Sequence, residues 1–316
     1  MGLKDFFLEV KDECSTVLRS EFDVEIIETD FVPNFDDSQI TYDNLDTQKK
    51  KCKRLESCVL FVDIRNSAKF SASKQPHTLS KIYSVFVRSM IACARYYGGH
   101  VRNIIGDRVM VVFDKENCFK NAIDTAVLMN SVSKHILNRE ITATDFKCGI
   151  GIDFGKMLIT KTGAIKRGSE KEFYRGLVWL GKPANVASRL TDLAHKTISR
   201  HQNIICQENH YPLTDQWSWS DASYDEFLDN LKPTYKDSML QHQDEYFCSF
   251  YKSSKVSKTE HSPILLTEGV YEGLKRYHSN YDSIKKDHFK KQNIRVRDYN
   301  GVIYGGDVYF SIVKDL

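Results

Sequence analysis

Two aspartates stand where a strand is expected to end or to turn. Asp63 closes the apolar run SCVLFVDI, and Asp107 follows Gly106 at the tip of the hairpin predicted for VRNIIGDRVMVVFD. Two carboxylates at a strand end and a neighbouring hairpin tip can bind two divalent cations, because Mg²⁺ and Mn²⁺ prefer oxygen ligands and bridge phosphates. The pattern indicates chemistry on a nucleotide phosphate. Taken singly, Asp107 is equally compatible with a plain turn residue and Asp63 with a strand-end cap.

A second group of polar residues has the types that nucleotide chemistry needs. Asn185 and Arg189 lie four apart in PANVASRL, so they share one side of a predicted helix, where they could place a ribose and stabilise charge on a transferred phosphoryl group. Arg189 in a surface ion pair is the alternative. The loop after Asp63 can direct backbone N–H groups at a triphosphate as a helix begins. Its residues are Arg65, Asn66, Ser67 and Ala68.

The elements around these residues follow a regular order. The strand that ends at Asp63 precedes a helix over Leu79 to Tyr97, which Gly98-Gly99 terminates, and then the hairpin. A helix over Asn117 to Asn138, a strand pair over Asp145 to Thr160, the strand YRGLVWLG and the helix PANVASRLTDLAH come next. The order strand–helix–strand–strand–helix–strand predicts a ferredoxin-like α/β core.

The regular pattern is interrupted at two places. Residues 1–54 are predicted to be a helical and extended appendage, with Leu3, Phe6 and Phe7 at helical spacing. Residues 55–316 are predicted to form the main domain, and about 209–260 reads as an insertion because it has no clear period. Regularity returns with a strand, a helix and a closing hairpin over VRDYNGVIYGGDVYFSIV.

Composition limits the kind of protein. The chain has 316 residues, and its 45 Lys and Arg against 42 Asp and Glu give a formal net charge of +3, so a nucleic-acid binder is not expected. A membrane span is not expected either, since no stretch of about 18 consecutive apolar residues occurs. The eight cysteines are scattered without a CxxC pair, and the N-terminus lacks an apolar signal core. Reduced thiols, a cytoplasmic location and no zinc site are the resulting expectations.

Three motifs together resemble the class III nucleotidyl cyclases, the adenylate and guanylate cyclase family. FVDIRNSAKF is similar to the first metal motif, GGHVRNIIGDRVMVVFD to the second, and GLVWLGKPANVASRL to the segment that supplies ribose and transition-state contacts. The resemblance covers roughly residues 56–206 and resumes at about 262–314. Each motif alone is weak, but three in this order at fitting spacings are specific.

The resemblance implies an α+β fold with an antiparallel central sheet flanked by helices, and a head-to-tail homodimer. It implies two Mg²⁺ or Mn²⁺ ions per site, held by Asp63, Asp107 and the backbone carbonyl of Ile64. Asn185 and Arg189 of the other chain would complete the site.

Two departures from the family pattern concern the base. The family has Lys or Glu where this chain has Asn103, and a polar residue where it has Val178. Asn offers donors and an acceptor that suit uracil or cytosine, and Val178 removes one polar contact. With Arg65 in the DIRNSA loop, the chain resembles the bacterial pyrimidine cyclases of antiphage signalling. This resemblance implies that the product is cyclic UMP, with cyclic CMP as the second choice, and that the product acts on a separate effector.

Several interpretations remain open from the sequence. Asn103 is equally compatible with a hydrogen bond to the backbone, and Arg102, Tyr174 or Arg175 could approach the base or the phosphates. An adenylate cyclase with an unusual base pocket is one alternative function, and a degenerate cyclase fold that senses nucleotide is another. YGGDVYF is similar to the GGDEF hairpin of diguanylate cyclases, but Val308 replaces the Glu of that motif, so it reads as a turn.

Overall fold

The protein is described by a computed structural model covering residues 2–68, 72, 74–141, 145–162, 176–234 and 239–315. It divides into two compact units, of which the first comprises Met1–Lys196 with His261–Leu316 and the second Thr197–Glu260. Among the described residues, the helices are all too short or too polar to span a bilayer.

The first unit alternates strands and helices. Its strands are β1 (Asp23–Thr29), β2 (Lys49–Ile64), β3 (His100–Ile105), β4 (Arg108–Val112), β5 (Cys148–Thr162), β6 (Gly176–Leu180), β12 (Ile264–Thr267), β13 (Lys290–Gln292) and β14 (Ile303–Gly306). Its helices are α1 (Leu3–Val17), α2 (Pro76–Tyr96), α3 (Cys118–Val132), α4 (Lys182–Leu193), α6 (Glu268–Tyr277) and α7 (Asp282–Lys285). A π-helical turn, Ser133–Leu137, and a short helical turn, Asn138–Glu140, extend α3, and a 3₁₀ turn covers Ser311–Asp315.

The nine strands form one sheet in the order β13-β14-β12-β5-β2-β4-β3, with β1 paired to β2 and β6 paired to β5. In the run β5-β2-β4-β3 each strand is antiparallel to its neighbour. With α2 between β2 and β3 and α3 between β4 and β5, they make the ferredoxin-like arrangement, so that prediction is confirmed. Two pairs, β1 with β2 and β12 with β5, are parallel.

The two-residue period of β2 separates the faces of the sheet. Leu60, Val62 and Ile64 point into the larger core, which α2, α3 and α6 cover with residues such as Phe86. Phe61 lies on the opposite face, against a smaller core that includes residues of β4, β5 and α4. Because Asp63 is two residues after Phe61, the same period places it on the α4 side of the sheet.

Helix α4 lies very close to β5 because two glycines of that strand carry no side chain. A Cβ atom on Gly151 would stand 2.3 Å from the carbonyl oxygen of Ala187, and one on Gly149 would stand 2.6 Å from that of Ala194. Real Cβ contacts are longer, so any side chain here would push the helix away from the sheet. The glycines therefore fix the height of α4, and of the polar residues on it, above the strands.

The first and last segments of this unit differ from what the sequence pattern predicted. The predicted boundary at residue 54 falls inside β2, because β1 pairs in parallel with Lys49 to Leu55 and so belongs to the main sheet. Helix α1 has no buried residue. The predicted closing hairpin has other bounds: β14 pairs antiparallel with the preceding strand β13, which lies before residue 295, and also with β12. Asp307 of the YGGDVYF stretch accepts a hydrogen bond from Asn130 Nδ2 over 2.9 Å.

The second unit starts at Thr197, whereas the sequence pattern placed the insertion from about residue 209. It contains β7 (Thr197–Tyr211), β8 (Gln216–Ala222), α5 (Tyr224–Asp229), β9 (Leu231–Pro233), β10 (Leu240–His242) and β11 (Phe247–Glu260). The strands form a three-stranded antiparallel sheet, β11-β7-β8, and the pair β10-β9. Ser223 and Glu226 form a capping box at the start of α5, which buries Phe227 against Phe250 at 4.6 Å between ring centroids.

Candidate active site

One cleft in the first unit brings together five of the eleven residues expected to do chemistry. It has a volume of about 570 Å³ and lies at the end of β2 and the start of β4, beside β6 and the start of α4. Five of the predicted site residues line it together, namely Asp63, Asn103, Asp107, Val178 and Asn185. The remaining wall consists of Phe61, Ile105, Arg108, Met110, Leu177, Trp179, Ala184 and Ser188.

The hairpin tip brings Asp107 to Asp63. Ile105 pairs with Arg108, so Gly106 and Asp107 form the predicted two-residue turn, with Gly106 in the left-handed region at φ 62°. Because β2 and β4 are antiparallel neighbours, with Val62 opposite Val109, the turn after β3 lies next to the end of β2. The two carboxyl groups interact directly. Sheet pairing therefore brings together residues that are 44 positions apart in the chain (107 − 63).

The environment of Asp107 is compatible with the predicted role of a cation ligand. Burial and the negative charge of Asp63 raise the pKa of Asp107, while a hydrogen bond from the Ser67 hydroxyl lowers it. The Oδ2 atom of Asp107 is buried, and the described residues offer it no hydrogen-bond partner. A buried acceptor without a donor is costly, and a cation would remove that cost together with the repulsion between the carboxylates.

The donor set suits a hard divalent cation. Of the predicted ligands, Asp63 and Asp107 carry carboxylate oxygens and line the cleft, whereas Ile64, the last residue of β2, does not line it, and its backbone carbonyl stays a predicted ligand. The part of the chain that the structure describes has no cluster of three His, Cys, Asp or Glu side chains that could hold a metal. Two carboxylates leave coordination positions for phosphate oxygens and water, which is how Mg²⁺ is commonly held at nucleotide sites.

Two arginines hold the Asp63 carboxylate. Arg108 Nη2 donates to Asp63 Oδ2 over 2.8 Å, and Arg65 Nη2 donates to the same oxygen over 3.3 Å. Arg65 also donates from Nη1 to the Asp192 carbonyl at the end of α4, over 3.1 Å. Arg65, expected to contact the substrate, thus lies against Asp63 and α4 and does not line the cleft.

The loop after Asp63 turns sharply. Asn66 has a left-handed backbone, φ 58°, which Asn tolerates better than most residues, and Ser67 and Ala68 begin a helical turn. The backbone N–H of Arg65 donates to the Lys147 carbonyl over 2.8 Å and cannot also bind a phosphate. The role of Asn66, Ser67 and Ala68 toward a triphosphate stays a prediction, and Ser67 already links this loop to the hairpin tip.

Helix α4 directs its two predicted residues differently. Asn185 lines the cleft, one turn after Gly181 and Pro183 begin the helix. Arg189 does not line it, because Nη1 donates to the Arg297 carbonyl and to Asp298 Oδ2, each over 2.6 Å. The spacing of four residues correctly predicted that Asn185 and Arg189 share one side of the helix. The guanidinium of Arg189 is nevertheless bound by the loop before β14 and not directed into the cleft.

The far wall of the cleft is where a base could lie. Asn103 is exposed on β3 beside a bulge at Arg102, and Val178 is on β6 opposite Thr160. Arg102 donates to the carbonyl of its neighbour Val101 over 3.1 Å, so it faces away from the cleft lining. Tyr174 and Arg175, also considered for the base or the phosphates, lie outside the described residues.

Sequence reasoning missed Arg108 as a site residue. Its Nη1 donates to Ser188 Oγ over 2.8 Å, and its Nη2 contacts Asp192 as well as Asp63. A usable signal existed, since Arg108 has the same strand parity as Met110, which faces α4. Its partners on α4 could not be found that way, because they depend on how the helix crosses the sheet.

Comparison with known proteins agrees with this geometry. The chain matches the adenylate and guanylate cyclase catalytic domain over residues 50–204. It is 30% identical over 177 residues to a uridylate cyclase of Burkholderia cepacia, covering 54% of this chain and 72% of that protein. The chain therefore belongs to the class III nucleotidyl cyclases, the family of enzymes defined by this catalytic domain.

Two further relatives lie at lower coverage or identity. A cytidylate cyclase of Staphylococcus aureus is 32% identical over 106 residues, which is 31% of this chain and 25% of that protein. Among solved structures, an adenylyl cyclase of P. aeruginosa is 17% identical, covers 80% of this chain and 94% of that chain, and has a TM-score of 0.46.

Proposed function

We propose that the protein converts a pyrimidine nucleoside triphosphate, UTP in preference to CTP, into its 3′,5′-cyclic monophosphate and pyrophosphate. The observation that carries the proposal is the single cleft that joins Asp63 and Asp107 to Asn185, Asn103 and Val178. Its relatives named uridylate and cytidylate cyclases support the choice of a pyrimidine.

The base proposal depends on the polarity of one wall. The Asn103 side chain presents an amide whose donors and acceptor can pair with the carbonyl and N–H edge of uracil or the amino and carbonyl edge of cytosine. Val178 offers no hydrogen bond, and the adjoining wall is apolar through Phe61, Met110 and Leu177. A small base with one polar edge suits this arrangement better than a purine that needs two polar contacts.

In the reaction we propose, the 3′-oxygen of the nucleotide forms a bond to its own α-phosphorus, and the bond from that phosphorus to the bridging oxygen breaks. Pyrophosphate leaves, and the proton of the 3′-hydroxyl passes to water. Two Mg²⁺ or Mn²⁺ ions, held by Asp63, Asp107 and the Ile64 carbonyl, would supply activation of the attacking oxygen and neutralisation of the leaving group. Asn185 would orient the ribose by hydrogen bonding.

Arg189 would stabilise charge on the phosphoryl group, and for this its guanidinium must leave Asp298. That ion pair is half exposed to solvent, so exchanging it for a phosphate contact costs little. We further propose a head-to-tail homodimer, in which Arg189 of one chain serves the cleft of the other. Asn185 was also expected to act across the dimer, but it lines the cleft of its own chain. The cyclic product would act on a separate effector in antiphage signalling.

The test is identification of the product. The protein is incubated with Mn²⁺ and ATP, GTP, CTP or UTP in separate reactions, and the products are identified by mass spectrometry. Cyclic UMP, or cyclic CMP, is expected. Asp63→Asn and Asp107→Asn should lose product, whereas Asp282→Asn, an exposed aspartate paired with Lys286 on α7, should retain it.

Other outcomes contradict the proposal at different points. Cyclic AMP as the main product would refute the assignment of Asn103 and Val178 to a pyrimidine pocket. Normal turnover in both Asp63→Asn and Asp107→Asn would refute the metal ligands. Absence of cyclic product from all four nucleotides, with a folded protein that binds Mn²⁺, would favour a nucleotide sensor.

A further inference from the structure

Arg108 lies at the centre of a polar contact set between β4 and α4. One guanidinium nitrogen, Nη2, contacts both Asp63 Oδ2 and Asp192 Oδ1, and the other, Nη1, donates to Ser188 Oγ over 2.8 Å. Its side chain is 26% exposed, and that of Asp63 is 14% exposed. The contact is therefore shielded from water on most sides, which makes it stronger than an open surface ion pair.

The Asp63 atom that Arg108 holds is one that a cation would need. Both Arg108 and Arg65 donate to Oδ2, the oxygen at 2.8 Å and 3.3 Å from their respective nitrogens. Asp107, in contrast, has a buried oxygen without a donor among the described residues. Both arginines thus neutralise Asp63. Asp107 has no such partner in the part of the chain that the structure describes, and the negative charge of Asp63 raises its pKa.

We propose that Arg108 is a positioning residue that occupies Asp63 when the site holds no cation and gives up that oxygen when a divalent cation binds. The inference rests on the proposed function, because it takes Asp63 and Asp107 as the cation ligands. Guanidinium and cation are alternatives at Oδ2, because a positively charged guanidinium and a divalent cation on the same carboxylate oxygen repel each other.

The remaining contacts of Arg108 explain how it can move without being lost to solvent. Ser188 and Asp192 lie on α4, whose position over β5 is fixed by the two glycines of that strand. When Asp63 is released, these two residues retain the guanidinium at the cleft wall. Arg108 therefore links occupation of the cation site to α4, the helix that also carries Asn185.

The experiment measures Mn²⁺ binding itself, without nucleotide, by electron paramagnetic resonance of the free ion. Wild type is compared with Arg108→Gln, Asp63→Asn and Arg189→Gln. Arg189→Gln is the matched control. It also removes one positive charge next to Ser188, but the guanidinium of Arg189 contacts Asp298 and not Asp63. We expect Arg108→Gln to bind Mn²⁺ about tenfold more tightly, the effect of removing one charge-assisted hydrogen bond. Asp63→Asn should lose binding, and Arg189→Gln should change it by less than about twofold.

The outcomes separate this inference from the metal assignment. If Asp63→Asn binds Mn²⁺ like wild type, the metal ligands are wrong and the proposed function fails with them. If Asp63→Asn loses binding but Arg108→Gln does not tighten it, only the role of Arg108 is overturned. Equal tightening in Arg108→Gln and Arg189→Gln would assign the effect to net charge and would also overturn it.

A second variant covers the case in which Arg108→Gln does not fold. Asp192→Asn removes the competing carboxylate and leaves the guanidinium on Asp63, so Mn²⁺ binding should weaken. Tighter binding in a folded Asp192→Asn protein, as judged by its circular dichroism and thermal unfolding, would contradict the proposed exchange at Oδ2.

Discussion

Asp153 is a carboxylate buried within the sheet, and replacing it with Asn should stabilise the protein at neutral pH. The residue lies in β5 at 5% exposure, and its Oδ1 accepts a hydrogen bond from Thr267 Oγ1 over 2.6 Å. Burial raises the pKa of Asp153 from 3.8 to about 6, against hydrogen bonds from Thr267 and the Phe154 backbone and the charge of Lys182, which lower it. The amide of Asn retains an oxygen for Thr267 and carries no charge.

The sign follows from proton binding in the two states. The folded state binds the proton of Asp153 more tightly than the unfolded state, so the stability that this group contributes is fully present below pH 3.8 and is lost as pH rises through about 6. The shift of about two units corresponds to about 3 kcal/mol at 1.36 kcal/mol per unit. Asn is uncharged, like the protonated Asp153 side chain, so the variant does not lose this stability as pH rises.

The assay is urea unfolding of wild type and Asp153→Asn at pH 5 and at pH 8. At pH 5 the wild type has already lost roughly half of the stability that ionisation of Asp153 removes. The difference in unfolding free energy between Asp153→Asn and wild type should therefore grow by about 1.4 kcal/mol from pH 5 to pH 8. The amide NH2 of Asn replaces a carboxyl oxygen, and any loss of stability from that replacement is independent of pH. It therefore cancels when the two pH values are compared. Asp282→Asn, at an exposed aspartate, should show no such growth. A difference between variant and wild type that does not change with pH would refute the reasoning.

Two further predictions concern the placement of the cleft. Gly151→Ala would put a Cβ atom 2.3 Å from the Ala187 carbonyl oxygen, so α4 must shift; a loss of about 1–3 kcal/mol in unfolding free energy is expected, together with weaker nucleotide binding measured by calorimetry. Wild-type stability in that variant would show that the close approach is not needed. Asn103→Lys should lower kcat/KM for UTP and CTP about tenfold or more, because an ammonium group has donors but no acceptor for the pyrimidine edge. Steady-state kinetics with all four nucleotides checks this, and a large gain with ATP alone would instead favour an adenylate cyclase.

Much of the first unit follows from local pattern. The continuous apolar run before Asp63 is typical of a strand buried on both faces, and the Gly-Asp turn between apolar runs is typical of a tight hairpin. The helical stripe that includes Phe86 and Met90 gave α2 to within a few residues of its ends. These predictions succeeded because each depends on neighbours within one element.

The failures concern segments whose partners are distant in sequence. The stretch 1–54 was expected to be an appendage, yet β1 pairs with β2 through hydrogen bonds that leave no trace in side-chain pattern. The long strands of Thr197–Glu260 have no clean alternation, because their sheet exposes Trp217, Trp219 and Tyr251 on one face and has polar residues on both. The sequence predicted an extended segment within 1–54, but neither the pairing of that strand nor the second sheet has a local signal.

The sequence by itself determined which side chains are available for chemistry. It placed Asp63 at a strand end, Asp107 in a turn and Asn185 near a helix start, since strand period, turn residues and helix spacing are local properties. Tertiary structure decided how these residues meet and which charges compensate them. The pairing of β2 with β4 placed the carboxylates side by side, and the glycines of β5 brought α4 close enough for Asp192 and Ser188 to hold Arg108 against Asp63. Such contacts depend on the distances between elements, which no single segment encodes.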